Sequence, residues 1–244
     1  KKMKKIILIL FLSIGLIGCS AIDYSELSMP KNPIDTELER ILALDLSYDD
    51  SIIEAKKNFN PDLVASVVKI LNERKAKSDA TILEAEIVNE YAEKIQISDN
   101  KLKFVASKIS DTQNRSMMGD PDTFDYFLIG IKDNNDSSTN HIVNLSITYK
   151  SEEKRSYSSA SFCDKWNTCD DENSVNINLI SSKASGCSST KCDYNEVVEL
   201  DLTDEFLRKN MEKDLSIKFN SLASKSNKIS FPSAYIKGYL KIVN

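Results

Sequence analysis

Residues 141–149 read His-Ile-Val-Asn-Leu-Ser-Ile-Thr-Tyr, and their alternation of apolar and polar side chains decides the predicted fold. The apolar set is Val143, Leu145, Ile147 and Tyr149, and the polar set is Asn144, Ser146 and Thr148. A period of two is typical of a β-strand that buries one face and wets the other. Such strands form antiparallel sheets, so the pattern excludes the parallel sheet of a Rossmann-type fold.

The same alternation recurs throughout the back part of the chain. Further strands are predicted at 102–109, 124–131, 155–162, 175–179, 198–202, 215–219 and 235–242. Residues 203–213 interrupt them with a short helix that has Thr203 as its N-cap. Seven or eight strands with polar turns predict an antiparallel β-sandwich of the immunoglobulin-like class over residues 101–244. On the last strand, Tyr235 and Tyr239 would form an aromatic surface for sugar or protein, or pack under the helical segment.

The front part, residues 34–100, has a helical period instead. Ile34, Leu38 and Ile41 share one stripe. Ser47 begins a capping-box variant, Asn60 and Pro61 form a cap followed by proline at the first helical position, and Ser78 is predicted to open a further helix. The acidic side chains that follow are interpreted as a solvated face: Glu84, Glu86, Glu90 and Glu93. The predicted class is therefore α+β.

The first nineteen residues carry an export signal. Four lysines precede an apolar run of about twelve residues, which suits a signal peptide and is too short to span a bilayer. The run ends in Leu16-Ile17-Gly18-Cys19, which resembles the lipobox of bacterial lipoprotein precursors. The resemblance implies a signal peptide at 1–18, removed by cleavage, and acyl chains on Cys19. It also implies a lipidated tether at 19–33 and, from Ser20, sorting to the outer membrane. There are two alternatives. One is an ordinary signal peptide in which the cysteine occurs by chance, and the other is an anchor helix that is not cleaved.

Four cysteines remain in the exported part, and an even number there predicts disulfides. The spacings favour local pairs, Cys163 with Cys169 and Cys187 with Cys192, although a cross-link between the two segments is also compatible. Zinc is disfavoured because neither spacing is C-x2-C and the chain has a single histidine. No metal or cofactor is predicted.

The segment Phe162-Cys163-Asp164-Lys165-Trp166-Asn167-Thr168-Cys169 is the predicted binding loop. A disulfide would stiffen it, and a stiff loop that presents tryptophan loses little entropy on binding. Phe162, Asp164 and Trp166 are the candidate binding residues. Alternatively, Trp166 folds back over the disulfide. The acid-rich stretches 120–125, 133–136 and 164–172 would supply oxygen ligands to Ca²⁺, but turn formation explains them better.

Common enzyme motifs are missing from the sequence. The only histidine, His141, is predicted to lie at the surface or at a strand end. The net charge is −5 and no Lys/Arg-rich block is present, so nucleic-acid binding is not predicted. These observations predict a non-catalytic binding or adaptor lipoprotein, lipid-anchored at the outer membrane, that faces the periplasm or the cell surface and recruits a protein partner or envelope assembly. Carbohydrate or peptidoglycan binding is the first alternative, and a carboxylate-based hydrolase is the second.

Overall fold

A computed structural model describes residues 32–113, 120–133, 138–164 and 168–243. The predicted signal peptide, Cys19, Trp166 and the acidic stretch 134–136 lie outside these residues. No helix in the described ranges is long and apolar enough to cross a membrane. The chain divides into two compact units, one ending at Lys75 and the other beginning at Ala76.

Unit 1 is helical and its helices begin where the sequence predicts. It holds α1 (Pro33–Leu42), α2 (Tyr48–Ala55) and the first part of α3 (Pro61–Glu93). The Asn32 side chain accepts a hydrogen bond from the Ile34 N–H at 3.1 Å, and Ser47 accepts one from the Asp50 N–H at 3.2 Å. Such caps satisfy N–H groups that have no partner within the helix. The core of the unit is small: Leu38, Ile41, Ala55, Val67 and Leu71.

The predicted helix start at Ser78 is wrong, because α3 continues without a break from Pro61 to Glu93. The sequence around Ser78 contains neither glycine nor proline, and its Lys, Arg, Glu and Ala residues are strong helix formers. A serine in such a run is tolerated inside the helix. Residues 72–87 of α3 are exposed on every side.

Unit 2 contains two antiparallel sheets. Its strands are β1 (Gln96–Ile97), β2 (Lys103–Val105), β3 (Ile109–Gln113), β4 (Asp122–Lys132), β5 (Thr139–Ser151), β6 (Tyr157–Cys163), β7 (Val175–Asn176), β8 (Asn178–Ser185), β9 (Cys192–Leu202), β10 (Leu215–Ser221) and β11 (Ser226–Phe231). The first sheet has the order β1-β2-β4-β5-β9-β8, and β3 also pairs with β4. The second has the order β11-β10-β6-β7.

The predicted mixture of helices and antiparallel sheet is confirmed, whereas the immunoglobulin-like arrangement is not. Leu128 on β4, Val143 on β5 and Leu200 on β9 lie side by side in the register of the first sheet and are buried. The two sheets share one core, in which the rings of Tyr126 and Phe231 meet edge to face at 5.1 Å. The alternation seen in residues 141–149 therefore does mark a buried face.

Two helices complete unit 2, and one of them corrects the sequence analysis. The helix α4 (Asp204–Asn210) has Thr203 as its N-cap, as predicted. The predicted last strand is wrong, because residues Ser233–Val243 form the helix α5. Its buried side chains fall on one helical face: Tyr235, Ile236, Tyr239, Leu240 and Val243. Strand β11 directly precedes it and was not predicted.

Gly238 lets α5 approach the final turns of α3. A Cβ at this position would lie 2.6 Å from the Val88 carbonyl oxygen and 2.8 Å from the Tyr91 Cβ. The first of these atoms belongs to the backbone of a helix, so it moves only if the helix moves. The substituent at residue 238 therefore sets the distance between the two helices.

We expect Gly238→Ala to destabilise the protein by about 1–3 kcal/mol, as overpacking does in well-packed cores. In an ordinary helix interior the same change stabilises, by roughly 0.5–1 kcal/mol. Urea denaturation of the chain from residue 20 onward would measure the effect, with the exposed Ser78→Ala as the helix control. A gain in stability for Gly238→Ala would show that the helices are not in close contact.

Candidate functional site

The predicted binding loop is a disulfide-closed hairpin at the end of β6. Cys163 and Cys169 are bonded, which confirms that disulfides are present and that this pair is local. The Asp164 N–H donates to the Thr168 carbonyl at 2.8 Å, and the Thr168 N–H donates to Asp164 Oδ1 at 2.9 Å. Asp164 thus stabilises the turn, as Asp residues do when they bond their local backbone.

The base of this hairpin is held from two sides. The Phe162 ring packs on the Phe206 ring of α4, with 4.4 Å between the centroids. Asp171 accepts a hydrogen bond from Lys218 Nζ on β10 at 2.6 Å, and this bond lowers the pKa of the carboxyl. The hairpin is therefore fixed to the sheet and to α4.

An acidic cleft of about 490 Å³ lies beside the hairpin. Its lining consists of Phe162, Asp164, Thr168, Cys169, Asp170, Asp171 and Glu172. Two of the three predicted binding residues, Phe162 and Asp164, therefore lie in one site. The third, Trp166, lies outside the described residues. The cleft offers carboxylate oxygens and one aromatic edge to a ligand.

The acidic stretches proposed as calcium ligands are engaged in other contacts. Asp170 bonds Asn173, Asp125 bonds Ser110 and Lys108, and Asp122 bonds Arg155. Within the described ranges, no group of three or more His, Cys, Asp or Glu side chains is arranged to hold a metal ion. Turn and ion-pair formation accounts for these acids.

The second disulfide, Cys187 to Cys192, closes the hairpin between β8 and β9. Cys192 is the first residue of β9 and pairs with Ser151, whereas α4 and the Phe162 contact follow the other end of β9. The two disulfide hairpins therefore lie at opposite ends of unit 2. Gly186 before Cys187 has a φ of 55°, a conformation that glycine adopts without strain.

A buried charged cluster, which sequence analysis missed, lies between the two sheets. Arg155 donates from Nη1 to Asp122 Oδ2 at 2.7 Å and from Nη2 to Oδ1 at 2.9 Å. Its guanidinium also lies over the Tyr149 ring, 4.0 Å from the centroid. Glu196 accepts hydrogen bonds from the Tyr149 hydroxyl and from the N–H groups of Ser156 and Tyr157. Each ionised group has partners, as burial requires.

His141 lies near the start of β5, which agrees with the strand-end alternative, but it does not lie at the surface: its side chain is fully buried under α4 and α5. Nδ1 lies 2.8 Å from the Tyr239 hydroxyl, and Nε2 lies 3.2 Å from Asp204 Oδ1. Arg208 Nε donates to the other oxygen of Asp204 at 2.6 Å, and this bond lowers the pKa of the Asp204 carboxyl. Because Asp204 is ionised, Nε2 donates to it and Nδ1 accepts from Tyr239.

This arrangement disfavours nucleophilic catalysis. His141 is fully buried and Tyr239 is 1% exposed, so no substrate can reach the hydroxyl that Nδ1 accepts from. Burial raises the pKa of the Tyr239 hydroxyl, which is the opposite of activation. The adjoining cleft of about 710 Å³ is lined by Lys132, Asn140, Thr203, Asp204 and Arg208, among others. The cluster instead joins α4 and α5 to the end of β5.

Only the helical register of α5 brings Tyr239 to His141. No local signal in the sequence marks His141 as buried, because its partners Tyr239 and Asp204 lie 98 and 63 positions away. The alternation read as a strand concealed the helical register.

Comparison with known proteins gave no relative: no family model, no curated protein and no solved structure matches this chain.

We expect stability to decrease as the pH falls below about 6.5. Burial lowers the pKa of the His141 imidazole in the folded state, whereas the same imidazole in the unfolded chain has a pKa near 6.5. Below pH 6.5 the unfolded state therefore binds more protons than the folded state. The contribution of the neutral imidazole to the free energy of unfolding is fully present above pH 6.5 and is lost as the pH falls toward the folded pKa. The slope would reach roughly 1.4 kcal/mol per pH unit at most.

Denaturation at several pH values between 5.5 and 7.5 measures this dependence, and proton NMR follows the single imidazole directly. His141→Gln is the control, because it removes the only imidazole in the chain and should flatten the dependence in this range. An imidazole that titrates at 6.5 or above would contradict the expectation.

Proposed function

We propose that this chain is a bacterial lipoprotein of the cell envelope, anchored by acyl chains on Cys19, whose mature part is a non-catalytic binding or adaptor module. In this proposal it is carried by the outer membrane, toward the periplasm or the cell surface. It recruits a protein partner or an envelope assembly. The protein contacts the membrane through the acyl chains bound covalently to Cys19.

Two disulfides, in a chain whose first nineteen residues resemble a lipoprotein export signal, are the observation that carries the proposal. Disulfides persist in oxidising compartments such as the periplasm, and thiols in the cytosol are kept reduced. Because both bonds close hairpins, they stiffen loops that are suited to recognition. Two sheets over one core also support the immunoglobulin-like sandwich as the class of this module, in which loops are presented at the ends.

A substitution at the anchor tests the proposal. We expect Cys19→Ser to shift the protein from the membrane fraction to the soluble or unprocessed fraction in a lipoprotein-processing bacterium. The physical reason is that each buried CH₂ contributes about 0.8 kcal/mol to membrane attachment. Intact mass of the wild type should show cleavage before Cys19 and added acyl chains.

The matched control is Cys187→Ser/Cys192→Ser, which removes two other cysteines and should leave the protein in the membrane fraction. In the wild type, alkylation of Cys163, Cys169, Cys187 and Cys192 only after reduction would agree with the disulfides. A wild-type mass without acyl chains would refute the anchored lipoprotein.

Carbohydrate or peptidoglycan binding is the second candidate, favoured by the acidic cleft beside the Cys163–Cys169 hairpin. Carboxylates next to aromatic side chains can hydrogen-bond sugar hydroxyls while a ring contacts the apolar sugar face. We expect Trp166→Ala to reduce cosedimentation with purified cell wall about tenfold if this function holds, with Phe59→Ala as the control for loss of an exposed ring. Equal cosedimentation of Trp166→Ala and wild type would exclude it.

A further inference from the structure

Unit 1 leaves several large apolar side chains exposed to water. In the segment 42–54, the exposed fractions are 45% for Leu42, 46% for Leu44, 40% for Leu46 and 59% for Ile53. The core of the same unit consists of only five buried side chains. Contiguous exposed apolar side chains rimmed by polar groups mark interaction sites in soluble proteins.

The backbone that presents these leucines is ordered by hydrogen bonds. The Leu44 N–H donates to the Ile41 carbonyl at 3.2 Å, and the Asp45 N–H donates to the Leu42 carbonyl at 3.3 Å. Leu46 directly precedes the N-cap Ser47, where an apolar residue usually packs on the fourth helical residue. That residue is Ser51, so Leu46 has no apolar partner at this position.

The charge on the segment narrows the choice of partner. Between residues 42 and 54 there is no lysine or arginine, and Asp45, Asp49 and Asp50 are exposed. A shallow cleft of about 350 Å³ beside Leu42 adds Asp35 and Glu39, with Arg74 as its one basic residue. Three basic side chains contact the segment, since Arg40 and Lys57 pair with Glu54 and Lys75 lies over the Tyr48 ring. Asp45, Asp49, Asp50 and Glu54 outnumber them, so the rim of the apolar side chains keeps a net negative charge.

The acidic rim disfavours two possible occupants of this surface, a second copy of the chain and an anionic lipid surface, and favours a third, a basic protein segment. A second copy of the chain would bring like charges together, and an anionic lipid surface would repel the aspartates. A protein segment that combines apolar side chains with lysine or arginine meets both the leucines and the carboxylates. An amphipathic helix with one basic face satisfies these requirements, and it is a common mode of peptide recognition.

We propose that the exposed segment 42–54 of unit 1 is the docking surface for a basic amphipathic helix of a partner protein. The inference rests on the proposed adaptor function and names the chemistry of the partner. It does not depend on the lipid, so it can be tested on the mature chain with Cys19→Ser.

The experiment measures binding of a fluorescent Leu/Lys amphipathic helical peptide by anisotropy, with a Leu/Glu peptide of the same length for comparison. We expect saturable binding of the Leu/Lys peptide alone. The variant Leu42→Ser/Leu44→Ser/Leu46→Ser should weaken it about tenfold or more, because central apolar contacts dominate interface energies. Asp45→Asn/Asp49→Asn should weaken binding and reduce its salt dependence.

The controls are Leu222→Ser, an exposed leucine of unit 2, and Asp99→Asn, an exposed acid of unit 2, and both should leave binding within twofold of the wild type. Circular dichroism checks that each variant is folded. Equal binding by the triple-leucine variant and the wild type would overturn the proposal. So would leucine-dependent binding to phosphatidylglycerol vesicles without peptide binding, or leucine-dependent dimerisation in light scattering. A failure of the lipoprotein proposal would appear as a wild-type mass without acyl chains. It would not affect peptide binding, so the results distinguish failure of that proposal from failure of the docking surface.

Discussion

The ion pair between Asp122 and Arg155 lies where the chain passes from one sheet to the other, and the arrangement of unit 2 depends on it. Arg155 follows β5 of the first sheet and directly precedes β6 of the second, whereas Asp122 begins β4. Both side chains are buried. Removing one partner from such a pair typically costs about 3–5 kcal/mol, because it leaves an uncompensated buried charge. The pair therefore constrains the crossing point strongly.

Neighbouring groups extend this constraint to the backbone. Ser156 has a φ of 55°, and its N–H, like that of Tyr157, donates to the buried Glu196 of β9. Asn227 of β11 donates to Asp122 Oδ2 at 2.8 Å. One polar cluster thus joins strands from both sheets at one end of the shared core. At the other end, the His141 cluster joins β5 to α4 and α5.

These clusters explain how the candidate recognition elements are held. The Cys163–Cys169 hairpin extends from β6, whose start is fixed by Arg155 and Glu196 and whose end packs on α4 through Phe162. Unit 1 follows a different principle, since its core is small and much of its apolar surface stays exposed. Unit 2 thus offers an acidic disulfide-closed hairpin, and unit 1 offers an acid-rimmed apolar segment.

Sequence by itself determined the central strands and the helix caps and favoured the local cysteine pairing, because each depends on side chains close together in the chain. The alternation in β4, β5, β9 and β10 and the caps Ser47, Asn60 and Thr203 are of this kind. Residues 235–242 fit both a period of two and a helical period, and only the packing of their side chains in the core of unit 2 selects the helix. Tertiary structure likewise decided the burial of His141 and the partner of Arg155. Their contacts join residues 98 and 33 positions apart, and no local pattern encodes such distances.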